Sequence, residues 1–150
     1  MNEKIMSARK RIAIIAHDKK KAELIKWAVD NKGILSEHIL YATGTTGKLL
    51  EDALEIEVTK LLSGPLGGDQ QVGSLIAQGQ IDMMIFFWDP MESQAHDTDV
   101  KALLRVGAVW NIPIACDRST ADFLVTSPYM KSKYVNVLPD YGSYLNRKIN

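Results

Sequence analysis

The segment Met83-Met84-Ile85-Phe86-Phe87-Trp88-Asp89-Pro90 decides the fold class of this chain. Six consecutive apolar residues, 83–88, predict a strand that is covered on both faces, as is typical of the centre of a parallel sheet. Asp89 and Pro90 end the run, because both residue types are disfavoured inside strands. We interpret Phe86, Phe87 and Trp88 as core side chains.

Four further apolar runs alternate with segments of helical periodicity on either side of this strand. The runs are residues 12–16, 38–42, 58–62 and 112–116. In the first intervening segment Leu24, Ile25, Ala28 and Val29 share one helical face, and Gly33 is expected to close that helix. Further helices are expected from Gly47 to 54, from about 70 to 79, over 99–110 and up to 126, while the tail after that is not assigned. The alternation predicts a single three-layer α/β domain over residues 1–150, with a five-stranded parallel sheet and helices on both faces.

The composition is that of a globular protein without a charge bias. The 150 residues are 46% hydrophobic and 24% charged, and 18 basic residues balance 18 acidic ones. This balance gives no electrostatic footprint for nucleic acid or for an anionic membrane, so we expect neither as a partner. Cys116 is the single cysteine, which excludes an intrachain disulfide. With no long apolar run and no apolar leader segment near the N-terminus, we expect a cytoplasmic protein.

Polar residues follow the predicted strands at the edge where a parallel sheet binds its ligands. Because the carboxyl ends of the strands share one rim, five segments that are distant in sequence are expected to meet there. These segments are His17-Asp18, Thr43 to Thr46, Ser63 to Asp69, Trp88-Asp89 and His96 to Asp99.

Two of these segments have the features of phosphate-binding loops. In 43–47 (Thr-Gly-Thr-Thr-Gly) Gly44 permits close approach of the backbone, hydroxyl groups donate, and a helix N-terminus follows. The segment 63–68 repeats the pattern around Ser63 and Gly64. Neither loop matches a Walker or a dinucleotide motif, so a small phosphate is favoured over a nucleotide. Structural explanations stay open: Thr45 or Thr46 caps the helix, and the second loop is only a turn.

The chemical set consists of Asp69, Asp89, His96 and Asp99. Carboxylates and an imidazole beside a bound phosphate suit proton transfer next to a carbonyl group. The spacing does not fit a zinc site, and Ser63 lacks the context of a serine hydrolase nucleophile. Taken singly, each residue has a structural explanation, such as Asp69 as a helix-start carboxylate. The prediction of a site depends on their co-location.

The chain resembles the methylglyoxal synthases along essentially its whole length. The resemblance is carried by 15–18, 40–47, 62–65, 67–73, 85–90, 96–97, 99–105 and 110–113. It implies a lyase that converts dihydroxyacetone phosphate to methylglyoxal and inorganic phosphate, without metal or organic cofactor. It also implies a homohexamer, with inorganic phosphate as product and inhibitor.

The resemblance assigns roles to individual residues. It makes Asp69 the catalytic base, places His96 on the substrate oxygens and makes Asp89 and Asp99 supporting carboxylates. The implied substrate-binding residues are His17, Lys21, Thr43, Gly44, Thr45, Thr46, Ser63 and Gly64. Where relatives carry a late arginine, this chain has Arg147 followed by Lys148. Direct register gives Lys148, which cannot form a bidentate fork.

A rival interpretation is a non-catalytic module. The same fold resembles the small regulatory domain of carbamoyl phosphate synthetase, which binds phosphorylated effectors. Such a module needs the phosphate loops but not the acids, so the presence of Asp69, Asp89, His96 and Asp99 together favours the enzyme. A receiver domain is set aside, because only Asp18 stands at the end of the first strand where an acid cluster is needed.

Overall fold

The computed structural model describes residues 2–149 of the chain. Its strands are β1 (Asn2–Met6), β2 (Arg11–Ala16), β3 (Ile39–Thr43), β4 (Val58–Leu61), β5 (Met83–Phe87), β6 (Ile114–Ala115) and β7 (Tyr134–Leu138). Its helices are α1 (Lys21–Asp30), α2 (Lys32–Leu35), α3 (Gly44–Leu54), α4 (Gly68–Ala77), α5 (Asp97–Val109), α6 (Arg118–Thr126) and α7 (Gly142–Leu145).

The parallel sheet contains the five predicted strands in the spatial order β4-β3-β2-β5-β6. The chain leaves β2 towards one edge of the sheet and returns to pair β5 on its other side, with Ile12 opposite Met83 and Ala16 opposite Phe87. The carboxyl ends of β2 and β5 therefore flank the point where the winding direction changes. Open α/β sheets bind their ligands in the crevice at such a point.

Side chains alternate along β2 between two separate cores, which makes the domain three-layered. Ile12 and Ile14 pack with residues of α1, α3 and α6, whereas Ala13 and Ile15 pack with residues of α4 and α5. The largest buried side chain is Trp27 in α1, which contacts Phe87 and donates from Nε1 to Asp122 at 2.8 Å. Helices on both faces confirm the predicted architecture.

The structure corrects several local predictions. Gly33 does not close α1, which ends at Asp30, because the chain continues at once into the helical turn of α2. Val29 is 47% exposed rather than buried, and Trp27 takes the core position instead. Trp88 lies beyond the end of β5 and is 37% exposed, so it is not a core residue. The fifth parallel strand pairs only over β6, shorter than the apolar run 112–116.

The sequence did not predict a two-stranded antiparallel ribbon formed by β1 and β7. Its register runs from Asn2 opposite Leu138 to Met6 opposite Tyr134. Asn111, at the end of α5, donates to the carbonyl of Val137 at 2.9 Å and so ties the ribbon to the domain. The ribbon lies away from the cavity described below. Within residues 2–149, no helix combines the length and the apolar character that crossing a membrane requires.

Candidate active site

A cavity of about 80 Å³ opens where β2, β3, β4 and β5 end. It lies at the change of winding direction, and its walls come from four different strand-to-helix connections. The lining residues are Ile15, Ala16, His17, Asp18, Lys21, Thr43, Thr46, Ser63, Gly64, Pro65, Asp69, Gln94 and His96.

The cavity collects buried polar atoms that have no partner in the protein. Six such side-chain atoms occur in residues 2–149, and five of them belong to residues of this cavity. They are Nε2 of His17, Oγ1 of Thr46, both carboxylate oxygens of Asp69 and Nδ1 of His96. Buried polar groups are normally hydrogen-bonded, and leaving one unpaired costs about 1–3 kcal/mol. A cluster of them facing one small space indicates that the space is built for a polar ligand.

His17 is held in one tautomer by the backbone. It follows β2 directly, its own N–H donates to the carbonyl of Phe87 at 3.2 Å, and its Nδ1 accepts from the backbone N–H of Asp89 at 3.0 Å. Burial, followed by the charge of His96, lowers the pKa of His17. A neutral ring that accepts at Nδ1 carries its proton on Nε2, so His17 presents an N–H donor to the cavity.

Asp69 is the second residue of α4 and is only 2% exposed. Neither oxygen accepts a hydrogen bond, so the carboxylate does not cap its helix, and the structural explanation for this residue fails. Opposing effects act on its proton affinity. Burial raises the pKa of Asp69, whereas the charge of His96 lowers it and offsets burial only in part. The helix N-terminus also favours the charged form. The net pKa is raised, which makes Asp69 a stronger base than an exposed aspartate.

His96 faces Asp69 from the opposite wall. Its Nε2 lies 3.7 Å from Oδ2 of Asp69, and its ring meets that of His17 edge to face with 5.6 Å between centroids. Gly64 makes this position possible, because a Cβ atom there would lie 2.6 Å from Nε2 of His96. The glycine is therefore needed for close packing of the loop against the imidazole.

The two predicted phosphate loops lie side by side. Gly44 begins α3 with φ +55, its N–H donates to the carbonyl of Leu62 at 3.2 Å, and a Cβ atom at Gly44 would lie 3.1 Å from Cβ of Ser63. This contact brings Ser63 next to the first turn of α3. Neither Thr45 nor Thr46 caps the helix with its side chain, which leaves the hydroxyl of Thr46 unpartnered in the cavity.

Lys21 supplies the positive charge of the cavity. Its Nζ pairs with Asp18, and both residues line the opening. The Lys21 side chain is 21% exposed and that of Asp18 is 95% exposed. Lys19, by contrast, pairs with Glu92 at the surface. An anion that enters the cavity therefore meets a lysine held at its mouth.

The structure does not bring every predicted residue into the cavity. Gly44 and Thr45 do not line it, and Thr45 is exposed. Asp89 is buried behind His17, where its Oδ1 accepts from the N–H of Met91 at 3.0 Å. Asp99 lies in the first turn of α5, half-buried, and reaches Asp69 only through its charge, which raises the pKa of Asp69.

Gln94 and Pro65 line the cavity and were not predicted as site residues. Gln94 belongs to an irregular polar segment with no motif, so only its position two residues before His96 connects it with the site. Within the described part of the chain, no group of three or more His, Cys, Asp or Glu side chains is arranged to hold a metal ion.

Known proteins share both the sequence and the fold. The profile of the MGS-like domain family matches residues 23–116. Methylglyoxal synthase from Sodalis glossinidius is 56% identical over 96% of this chain and 94% of its own length, and that from Coxiella burnetii is 54% identical over 93% and 98%. The crystal structure of methylglyoxal synthase from Elizabethkingia anophelis NUHP1 superposes with a TM-score of 0.94 at 55% identity, covering 100% of this chain and 99% of that one. Relatives this similar over nearly the whole chain show that it belongs to the methylglyoxal synthase family.

Proposed function

We propose that this chain is a lyase that converts dihydroxyacetone phosphate to methylglyoxal and inorganic phosphate. The observation that carries the proposal is the pair of unpartnered oxygens of buried Asp69, which face His96 at 3.7 Å beside two phosphate-type loops. A carboxylate without hydrogen-bond partners at this place is suited to act as the general base that removes a proton from the substrate.

The phosphate end of the substrate is assigned to one side of the cavity. Thr46, Ser63 and the backbone around Gly64 donate hydrogen bonds, the first turn of α3 contributes free N–H groups, and Lys21 adds a positive charge. Thr43 lies at the end of β3 and closes this side, and Thr45 extends the first turn of α3 towards solvent. Substrate phosphate competes with Asp18 for Lys21.

The reaction begins with a proton transfer. Asp69 removes a proton from the hydroxymethyl carbon beside the carbonyl group, and the electron pair of the C–H bond moves into an enediolate. Negative charge develops on the carbonyl oxygen, where the Nε2–H group of His17 and the ring of His96 stabilise it. Asp89 supports this step from behind by holding His17, and Asp99 by raising the proton affinity of Asp69.

Elimination completes the reaction without a co-reactant. The hydroxyl oxygen on the deprotonated carbon forms the aldehyde C=O bond as its proton passes to the departing phosphate, and the C=C bond shifts towards the carbon that bears phosphate. The C–O bond to phosphate breaks, and its electron pair leaves with phosphate. The product is the enolate of methylglyoxal, whose methylene carbon takes up a proton to become the methyl group. The loops around Thr46 and Ser63 hold the phosphate so that the breaking bond lies across the plane of the enediolate.

The direct test is to incubate the purified protein with dihydroxyacetone phosphate and to follow inorganic phosphate and methylglyoxal together. The proposal expects equal amounts of both, well above the uncatalysed background. Binding of the substrate without release of either product would instead favour the regulatory-module alternative. That alternative is less favoured, because an effector-binding module does not require a buried base without partners.

We further propose that the chain forms one MGS-like domain over residues 1–150, acts in the cytoplasm as a homohexamer and is inhibited by its product phosphate. Exposed apolar side chains such as Ile5, Phe123 and Leu145 are available for burial between subunits. Sedimentation tests the assembly, since a species near 16.7 kDa at working concentrations would contradict it.

Inorganic phosphate competes with the substrate for the loops at Thr46 and Ser63. With Lys148 at the position of the late arginine, coupling between subunits is expected to be weaker than in relatives that carry arginine.

A further inference from the structure

Gln94 is a polar residue of the cavity that the proposed mechanism does not yet use. It lies between β5 and α5, and its backbone carbonyl accepts from the N–H of Asp97 at 3.3 Å, which ties it to the start of α5. Within residues 2–149 its side-chain amide makes no hydrogen bond with the protein. A half-buried amide on the wall of a small polar cavity, with its backbone anchored and its side chain free, is available to a ligand.

The position of Gln94 in the chain points to the end of the ligand that it meets. It is two residues before His96 in the same connection, whereas the phosphate groups come from the connections after β3 and β4. Gln94 therefore shares its segment with the imidazole that faces Asp69 and not with the phosphate loops. The atoms at that end of a triose phosphate are a hydroxyl and a carbonyl oxygen.

The chemistry of a carboxamide complements these atoms. It offers two N–H donors to oxygens that gain negative charge and one acceptor for a hydroxyl group. It does so without a net charge, so it adds no charge–charge interaction with Asp69.

We infer that Gln94 contacts the reacting end of the substrate and donates a hydrogen bond to the oxygens of the enediolate. The inference rests on the proposed function and adds a third donor to His17 and His96. Because the bond strengthens as charge develops, its removal lowers kcat more than it weakens binding.

The test compares Gln94→Ala and Gln94→Glu with Ser93→Ala as the matched control. Ser93 is the exposed neighbour in the same segment and does not line this cavity. We expect Gln94→Ala to lose about 10- to 100-fold in kcat, the loss of a hydrogen bond to a charged group. Gln94→Glu should lose more, because a carboxylate repels the enediolate. Affinity for inorganic phosphate should stay within about twofold in Gln94→Ala, as in Ser93→Ala.

Three results would overturn the inference. One is kcat of Gln94→Ala within about threefold of the wild type, a smaller change than a lost charged hydrogen bond gives. Another is a parallel loss of phosphate affinity, which would place Gln94 at the phosphate end. The third is a kcat of Gln94→Glu equal to that of the wild type. This result would overturn the inference even if the alanine variant misfolds. A wild type without turnover would refute the proposed function itself, and this inference with it.

Discussion

The backbone N–H of Asp89 donates to Nδ1 of His17 at 3.0 Å and thereby fixes which ring nitrogen carries the proton. The two residues stand at the ends of neighbouring strands, β2 and β5, and are 72 positions apart in sequence. The protein thus uses the sheet to hold an imidazole neutral and to direct its Nε2–H group into the cavity.

This relationship predicts different outcomes for two replacements of His17. Asn retains an acceptor near the position of Nδ1 but places no donor near Nε2, whereas the amide of Gln reaches that position. We expect His17→Asn to lose about 10²–10³ in kcat, the usual loss on removing one donor to an oxyanion. His17→Gln should recover part of this loss. Equal kcat values for both variants would show that Nε2 donates nothing to the reaction.

Gly64→Ala should impair catalysis without unfolding the protein. The new Cβ atom would lie 2.6 Å from Nε2 of His96, so the imidazole must leave its present place 3.7 Å from Asp69. We expect kcat to fall by at least about tenfold, since catalytic groups displaced by 1 Å lose up to 10²-fold. Gly33→Ala is the matched control, because a Cβ atom at Gly33 meets nothing within 4 Å. Equal activity of the two variants would contradict the packing role of Gly64.

The pH dependence of kcat/KM should report the raised pKa of Asp69. The base must be deprotonated, so activity is full above its pKa and falls as the pH drops through it. Burial raises that pKa above the ordinary value of 3.8. The acidic limb of the profile should therefore lie above the range of exposed aspartates, with circular dichroism showing folded protein at each pH. Unchanged activity down to about pH 4 would exclude a buried base of this kind.

His38 should make the protein less stable in mild acid. Its Nδ1 accepts from the N–H of Lys10 at 2.8 Å, and burial lowers its pKa below 6.5. In the pH range between the lowered pKa and 6.5 the unfolded chain binds a proton that the folded chain does not. Stability is therefore full above pH 6.5 and falls as the pH drops below it.

His38→Asn tests this effect, because it retains an acceptor near Nδ1 without a titrating ring. The loss of melting temperature between pH 7 and pH 5 should be smaller in this variant than in the wild type. Asp69 and His17 titrate in both proteins, so their contributions cancel in the comparison. Identical pH dependence in the two proteins would show that His38 does not titrate on unfolding.

The sequence alone predicted the parallel sheet because each strand is marked by a compact apolar run and each connection by polar residues. It also predicted the cavity, since the ends of parallel strands must share a rim. Periodicity carried no information about the β1–β7 ribbon, whose exposed face bears Ile5, Val135 and Val137. Nor did it distinguish Asp69 from Asp89: both are acids in connections that follow strands, and only the three-dimensional structure shows that one has free oxygens and the other a partner.

The family resemblance assigned roles to residues that the residue patterns did not single out. It gave Lys21 a role that the run Lys19-Lys20-Lys21 does not suggest, and the structure places Lys21 alone of the three in the cavity. Neither the residue patterns nor the family resemblance predicted Gln94 as a site residue. It belongs to no motif, and its exposure to the cavity depends on how the segment before α5 is folded.

Asp69→Asn should separate catalysis from stability. Ionisation of a buried carboxylate with a raised pKa opposes folding at neutral pH, so removing the charge should raise the melting temperature while activity falls. Asp52→Asn is the control, because Asp52 is exposed on α3 and far from the cavity. It should change neither property.

The most direct measurement is therefore kcat for release of phosphate from dihydroxyacetone phosphate by the wild type and by Asp69→Asn, on preparations whose affinity for inorganic phosphate is equal. Removal of a general base lowers the rate by about 10²–10⁴, equal to roughly 3–5 kcal/mol of barrier. The account predicts a loss in this range with phosphate affinity retained. An Asp69→Asn enzyme that keeps more than about a tenth of the wild-type kcat would contradict it.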